Sequence, residues 1–225
     1  GGMYNGKSAP SVTSCTFSNN RSGTGGGMTN SASSPDVAFC TFSGNRAAPG
    51  AGMENMGSTV TVRDSAFLGN SSYFPGGGMY NLESSITVER CLFSGNDAES
   101  GGGIFDSRSV STVTNSTFSG NRAADAGGAF YAATLGPGTS PCTVTLLFCT
   151  LADNSAPRGA NVGLENGDSK SFSATNSIFW GAPAGGIAPG VGAVWSVRHS
   201  VVQGGVEGPG ILTGDPKLSP LGDHG

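Results

Sequence analysis

Few residues in this chain could do chemistry: 15 acids, five cysteines and two histidines in 225 residues. Cleaving a glycosidic bond takes two carboxyl groups facing each other across a sugar, roughly 5–10 Å apart. Whether any acids can meet depends on spacing, and the spacing here is periodic. Phe17, Phe42, Phe67, Phe93 and Phe118 step by 25, 25, 26 and 25 residues, each three residues before Asn20, Asn45, Asn70, Asn96 and Asn121. Aligned on that period, Arg63 shares a column with Glu89, Asp64 with Arg90, Asp97 with Arg122 and Glu83 with Arg108. Opposite charges one repeat apart read as ladder pairs that steady the fold modestly. Glu54, Glu99, Asp125 and Asp153 are among those that remain, scattered over several repeats, so no catalytic pair is assigned.

Nucleophile and metal chemistry have less to work with. His199 and His224 are the two histidines; both fall where the repeat has worn away and neither adjoins a cysteine. A metal site needs a cluster of such ligands, and the glycine-aspartate calcium roll is absent, so neither metal nor cofactor is expected. Cys15, Cys40, Cys91 and Cys149 share an inward column in which Ser65, Ser116 and Ser177 also occur. That interchange marks a slot for a small side chain, where free Cys acts as a small hydrophobe. Parallel Cβ vectors one rung apart fit disulfide geometry poorly. Cys142, in a long insertion, is left open between pairing with Cys149 and staying free.

Two surface columns could bind something. Tyr80, Phe105 and Phe130 each follow the column Met79, Ile104 and Ala129, and are expected to form an outward aromatic stripe for packing or for a glycan. Thr16, Thr41, Ala66, Leu92, Thr117 and Thr150, just before the Phe column, would form a threonine face of the ice-binding kind, but Ala66 and Leu92 interrupt it.

The elements that must position these residues follow from the period. Met3, Met28, Met53, Met79, Ile104 and Ala129 keep the same step, and Val12, Val37, Val62, Val88 and Val113 form a third column. Short alternating runs rich in β-branched residues, punctuated by Gly and Asn, read as strands. Identical strands one period apart must be parallel, which predicts an all-β, right-handed parallel β-helix. About eight rungs of ~25 residues would form a rod on the order of 40 Å long at ~4.8 Å per rung. The Phe, Val and Met columns become its core. The Asn column is expected at a corner in left-handed backbone with stacked amides, and Asn5, Asn30, Asn55 and Asn81 form a second column that continues as Asp106. The glycines before Met or Ile allow a tight bend. Residues 1–225 are expected to form one domain: regular repeats over 1–130, irregular rungs over 131–213 and an exit tail over 214–225. One extra residue is placed between Asn70 and Met79. Eight more are placed between Ala129 and Leu151, around Leu135 to Pro141.

Composition narrows the function classes. With 39 Gly and only 12% charged residues the chain could be a disordered tract, but apolar residues in strict register argue against it. A net charge of −4 disfavours nucleic acid, and no apolar run is long enough to insert in a membrane. The chain opens part-way through a repeat, as a piece of a longer precursor would, and no signal peptide is visible.

The Phe-x-x-Asn and Gly-Gly-Met/Ile pairing resembles repeats of the chlamydial polymorphic outer-membrane proteins over residues 1 to about 130. The ending Gly214-Asp215-Pro216 through Pro220-Leu221-Gly222-Asp223-His224-Gly225 is similar to that of bacterial choice-of-anchor surface proteins. Both resemblances imply display outside the cell without one conserved activity. The expected function is therefore a non-catalytic extracellular or cell-surface rod, for adhesion or for self-assembly into filaments by end-to-end stacking. The alternative is a β-helix that binds or degrades polysaccharide. The partners to expect are further copies of the chain, and then a glycan or a cell-surface molecule.

Overall fold

The computed structural model describes residues 1–134, 140–182 and 186–218. One rung is represented by the strands Met79–Leu82, Ser85–Glu89, Leu92–Ser94 and Asp97–Ser100. Each pairs in parallel with its equivalents in the rungs before and after, giving four sheets, called here A to D in that order. Among the described residues sheets A, B and C have eight strands each, matching the count of about eight rungs. Sheet D has four, from Arg46–Ala47 to Arg122–Ala126.

Corners make the rung. Glu83 (φ 51), Arg90 (φ 50), Gly95 (φ 63) and Gly101 (φ 64) are all left-handed, one at each change of sheet. Gly95 and Gly101 take this conformation without the Cβ clash that makes it costly elsewhere. The asparagine column lies one residue beyond such a corner, which corrects its expected left-handed backbone. At the equivalent corners the left-handed residues are Asn19, Gly44, Gly69, Gly95 and Gly120. The asparagines instead turn inward. Asn70 Nδ2 donates to Asn96 Oδ1 at 2.9 Å and to the Phe42 carbonyl, while Asn70 Oδ1 accepts from the backbone N–H and Nδ2 of Asn45. The backbone at the corner is thus satisfied by a buried amide ladder, as burial demands.

The core is built from columns. Phe17, Phe42, Phe67, Phe93 and Phe118 stack with ring centroids 4.6 to 4.8 Å apart and planes within 7° of parallel. Successive rungs are therefore related by almost pure translation, the arrangement in which side-chain ladders hold a sheet unusually flat. The Met and Val columns complete this core, each side chain contributing about 1.5–3 kcal/mol of burial.

One residue changes the register. Met79 pairs with Ile104, but Ile104 pairs with Phe130, not Ala129, because the pairing of Asp97–Ser100 with Arg122–Ala126 contains a bulge. The eight extra residues thus divide: one lies at the bulge, and the other seven precede Thr143, the partner of Val110. Leu135 to Thr139 lie outside the described residues. A one-residue slip exchanges the two faces of a strand. Phe130 therefore points into the core, fully buried, and Tyr131 takes the outward place expected of it.

Sheet B carries an ordered outer face beyond its inward Val column. Thr61, Thr87, Thr112, Thr145, Ser173 and Ser196 stand in one outward column. Two residues earlier on the same strands, Thr59, Ser85, Val110, Thr143, Ser171 and Val194 form a second.

Candidate functional site

The expected aromatic stripe exists in corrected form, and it is covered. Tyr80, Phe105 and Tyr131 are in register on the outer face of sheet A, with Tyr80 and Phe105 rings stacked at 5.4 Å. Phe105 is only 1% exposed and Tyr80 7%, because Ala126, Ala133 and Leu82 pack with them in a second small core. The stripe therefore serves packing along most of its length. A hollow of about 260 Å3 between Pro49, Phe74, Pro75 and Tyr80 reaches its edge. In the preceding rung the same column holds Glu54, which is buried with Oε2 unpartnered among the described residues. Burial raises its carboxyl, opposed by hydrogen bonds from Thr24 and Thr29. Burial also raises Tyr80, helped by the nearby Glu54.

The open surface lies at the corner between sheets B and C. Phe39, Asp64, Arg90, Asn115 and Phe148 occupy that corner in successive rungs, all left-handed with φ between 50 and 56°. Such a conformation costs on the order of 1–2 kcal/mol for a residue with a Cβ, least for Asn and Asp. Phe39 and Phe148 are nevertheless there, and they stand 60% and 57% exposed. Between them Arg90 grips Asp64 with two bonds, Nε to Oδ1 at 2.7 Å and Nη2 to Oδ2 at 2.9 Å. The hydrogen bond from Arg90 holds the Asp64 carboxyl below its ordinary range. A shallow hollow of about 570 Å3 runs alongside, floored by Thr41, Ala66, Leu92 and Thr117 of sheet C.

Several other acids join rungs. Arg108 meets Glu83 at 2.8 Å, Arg158 meets Asp125 at 2.7 Å and Arg122 approaches Asp97 at 3.8 Å. Arg63 and Glu89 do share a column, but each has another partner: Arg63 bonds Asp36 at 2.8 Å, and Glu89 bonds its neighbour Arg90. Side chains directly opposite on a flat sheet need not pair when a diagonal or sequential partner is nearer. Glu99 and Asp153 are exposed on separate rungs.

Neither thiols nor imidazoles assemble a reactive group. All five cysteines are free. Each corner Cys or Ser binds a carbonyl two residues back, and Cys40, Ser65, Ser116 and Ser177 also accept a backbone N–H from the preceding rung, as Ser65 does with Arg63 O and Cys40 N. The slot is thus a hydrogen-bonding position as well as a small one, which explains why Ser and Cys exchange there. Burial raises the Cys91 thiol to about 11 and Cys142 to about 12, the opposite of what a nucleophile needs. His199 is exposed at the same corner as Phe148, and His224 lies outside the described residues. Among the described residues no group of three His, Cys, Asp or Glu could hold a metal ion. None of their helices is long and apolar enough to cross a membrane.

Stacked parallel rungs, continuous core columns and left-handed corners are the features of one architecture. Residues 1–179 match the family described as "Right handed beta helix region". The chain belongs to the right-handed β-helix family. Neither a curated protein nor a solved structure matches it. β-Helices serve both as surface proteins and as polysaccharide-active enzymes, so function must be argued from the sites.

Proposed function

We propose that this β-helix is a non-catalytic structural protein, working outside the cell or on its surface in adhesion or self-assembly. The observation that carries the reading is how its surface charge is used. Five ion pairs, Asp36–Arg63, Asp64–Arg90, Glu83–Arg108, Asp97–Arg122 and Asp125–Arg158, each tie one rung to the next. Acids committed in this way join neighbouring rungs and are not free for acid–base work. The resemblances of the repeats and of the ending support display outside the cell. Parallel rungs also offer backbone groups in register at an end, so a further copy could continue the stack into a filament.

A second reading is binding or cleavage of polysaccharide, favoured by the hollow beside Phe39, Asp64 and Arg90. Incubation with acidic and neutral polysaccharides separates the two. The structural reading expects no shortened product, together with concentration-dependent sedimentation or adhesion to cell surfaces. Release of reducing or unsaturated ends would replace it with the enzymatic one.

A further inference from the structure

The outer face of sheet B has no part in the adhesion reading, yet it repeats one chemistry over many rungs. Over six consecutive rungs its two outward columns hold twelve residues, ten of them Thr or Ser and the other two Val110 and Val194. No charged residue stands in either column over these rungs, although a third column on the same strands contains Arg63, Glu89 and Arg198. Thr59, Ser85 and Thr87 are exposed, and Thr61, Thr112, Thr143 and Thr145 are half-exposed. Where hydroxyls meet, they bond along the columns: Ser171 Oγ to Thr143 Oγ1 at 3.0 Å and Ser173 Oγ to Thr145 Oγ1 at 3.3 Å.

The geometry of this face is that of a lattice. Residues two apart on a strand are separated by about 6.6 Å, and adjacent rungs by about 4.8 Å. The near-parallel Phe rings beneath the earlier rungs of the array show that this translation repeats with little twist. The rung repeat lies close to the shorter repeat between equivalent water oxygens on faces of ice, and the two-residue repeat is somewhat shorter than the longer one. Threonine supplies a hydroxyl that can take a lattice position and a methyl that orders the water beside it. Charges would instead bind water in orientations that ice does not allow.

We propose that the Thr59–Ser196 face of sheet B binds ice. Other occupants suit it less well. A soluble glycan wants a recess or an aromatic platform, and these two columns contain no aromatic residue. A polyanion or polycation finds no charge there. A protein partner would want an apolar centre, and the columns are almost wholly hydroxyl-bearing. The array is held rigid by the core before anything binds, so little ordering cost opposes adsorption.

The test freezes a dilute solution of the intact chain slowly and measures how much protein the growing ice takes up, with recrystallisation of fine-grained ice as a second readout. The wild-type protein should be enriched in the ice and should slow grain growth. Thr87→Lys and Thr112→Lys, made separately, should each lose both effects while keeping the wild-type circular dichroism and melting temperature. Thr117→Lys, on the outer face of sheet C, should keep both effects. Exclusion of wild-type protein from ice overturns the proposal, as does full retention of activity in both sheet B variants. Binding of wild-type protein to crystalline polysaccharide but not to ice also overturns it. None of these outcomes bears on adhesion or filament formation, which are read separately by sedimentation.

Discussion

Asp106 ends a ladder of amides and should make the whole rod sensitive to pH. Asn5, Asn30, Asn55 and Asn81 each donate Nδ2 to the next residue in the column, the last to Asp106 Oδ1 at 2.7 Å. The following rung has Ala132 in this column. Asp106 is fully buried, with Oδ2 lacking a hydrogen-bond partner among the described residues. Desolvation raises its pKa from 3.8 to about 6, opposed by Ser111 and Asn81. A tenfold change in proton affinity is worth about 1.4 kcal/mol, so ionising Asp106 costs the folded state about 3 kcal/mol. Between pH 3.8 and about 6 the folded chain binds more protons than the unfolded one. This contribution therefore favours folding fully below the lower value, is lost as pH rises through the upper one, and stays lost above it. Asp106→Asn continues the ladder with a neutral amide. The variant should be more stable than wild type by up to about 3 kcal/mol at pH 7–8, a rise in melting temperature of about 6–12 °C for a chain of this size. The advantage should shrink to near zero by about pH 4. Urea unfolding of both proteins from pH 3.5 to 8 reads the difference directly, because other titrating groups cancel. A stability difference that does not change with pH would refute the reasoning, and so would a variant less stable than wild type at pH 8.

Three further outcomes follow from the packing. Asn70→Ala strips partners from Asn45 N–H, Asn45 Nδ2, the Phe42 carbonyl and Asn96 Oδ1. Asn45 Nδ2 keeps the Phe17 carbonyl and Asn96 Oδ1 keeps the Asn70 N–H, so with the Asn45 N–H left unpaired the substitution should cost at least about 1–3 kcal/mol in denaturant unfolding. Phe130→Ala should cost about 3–5 kcal/mol as a core truncation, whereas Phe130 on an outward stripe would cost far less; thermal melts decide between them. A thiol reagent at pH 8 should label Cys15 first, as the one half-exposed thiol, and reach Cys40, Cys91, Cys142 and Cys149 only in denaturant. Rapid native labelling of Cys91 or Cys142 would contradict their burial.

Much of the architecture was legible because a β-helix is periodic in sequence and in space at once. The 25-residue step of Phe, Val and Met specified parallel strands, a ladder core and the rung count, since only translation superposes identical registers. The Asp64–Arg90 and Glu83–Arg108 pairs were readable by the same column logic. What the alignment could not carry was anything set by a single residue or by direction in space. The bulge in Arg122–Ala126 is invisible in the repeat period, yet it turns Phe130 inward and Tyr131 outward. The left-handed corner falls one residue before the asparagines because the amide must enter the rung to reach the neighbouring backbone. Phe39 and Phe148 are core residues by type, and only the corner geometry shows them exposed. The hydroxyl grid on sheet B arises because Thr-Val-Thr alternation sends every second side chain to the same side, and stacking then sets those columns in a plane. Sequence alone determined which residues recur. The tertiary structure decided which way each one faces, because in a strand one residue of slip exchanges core and solvent.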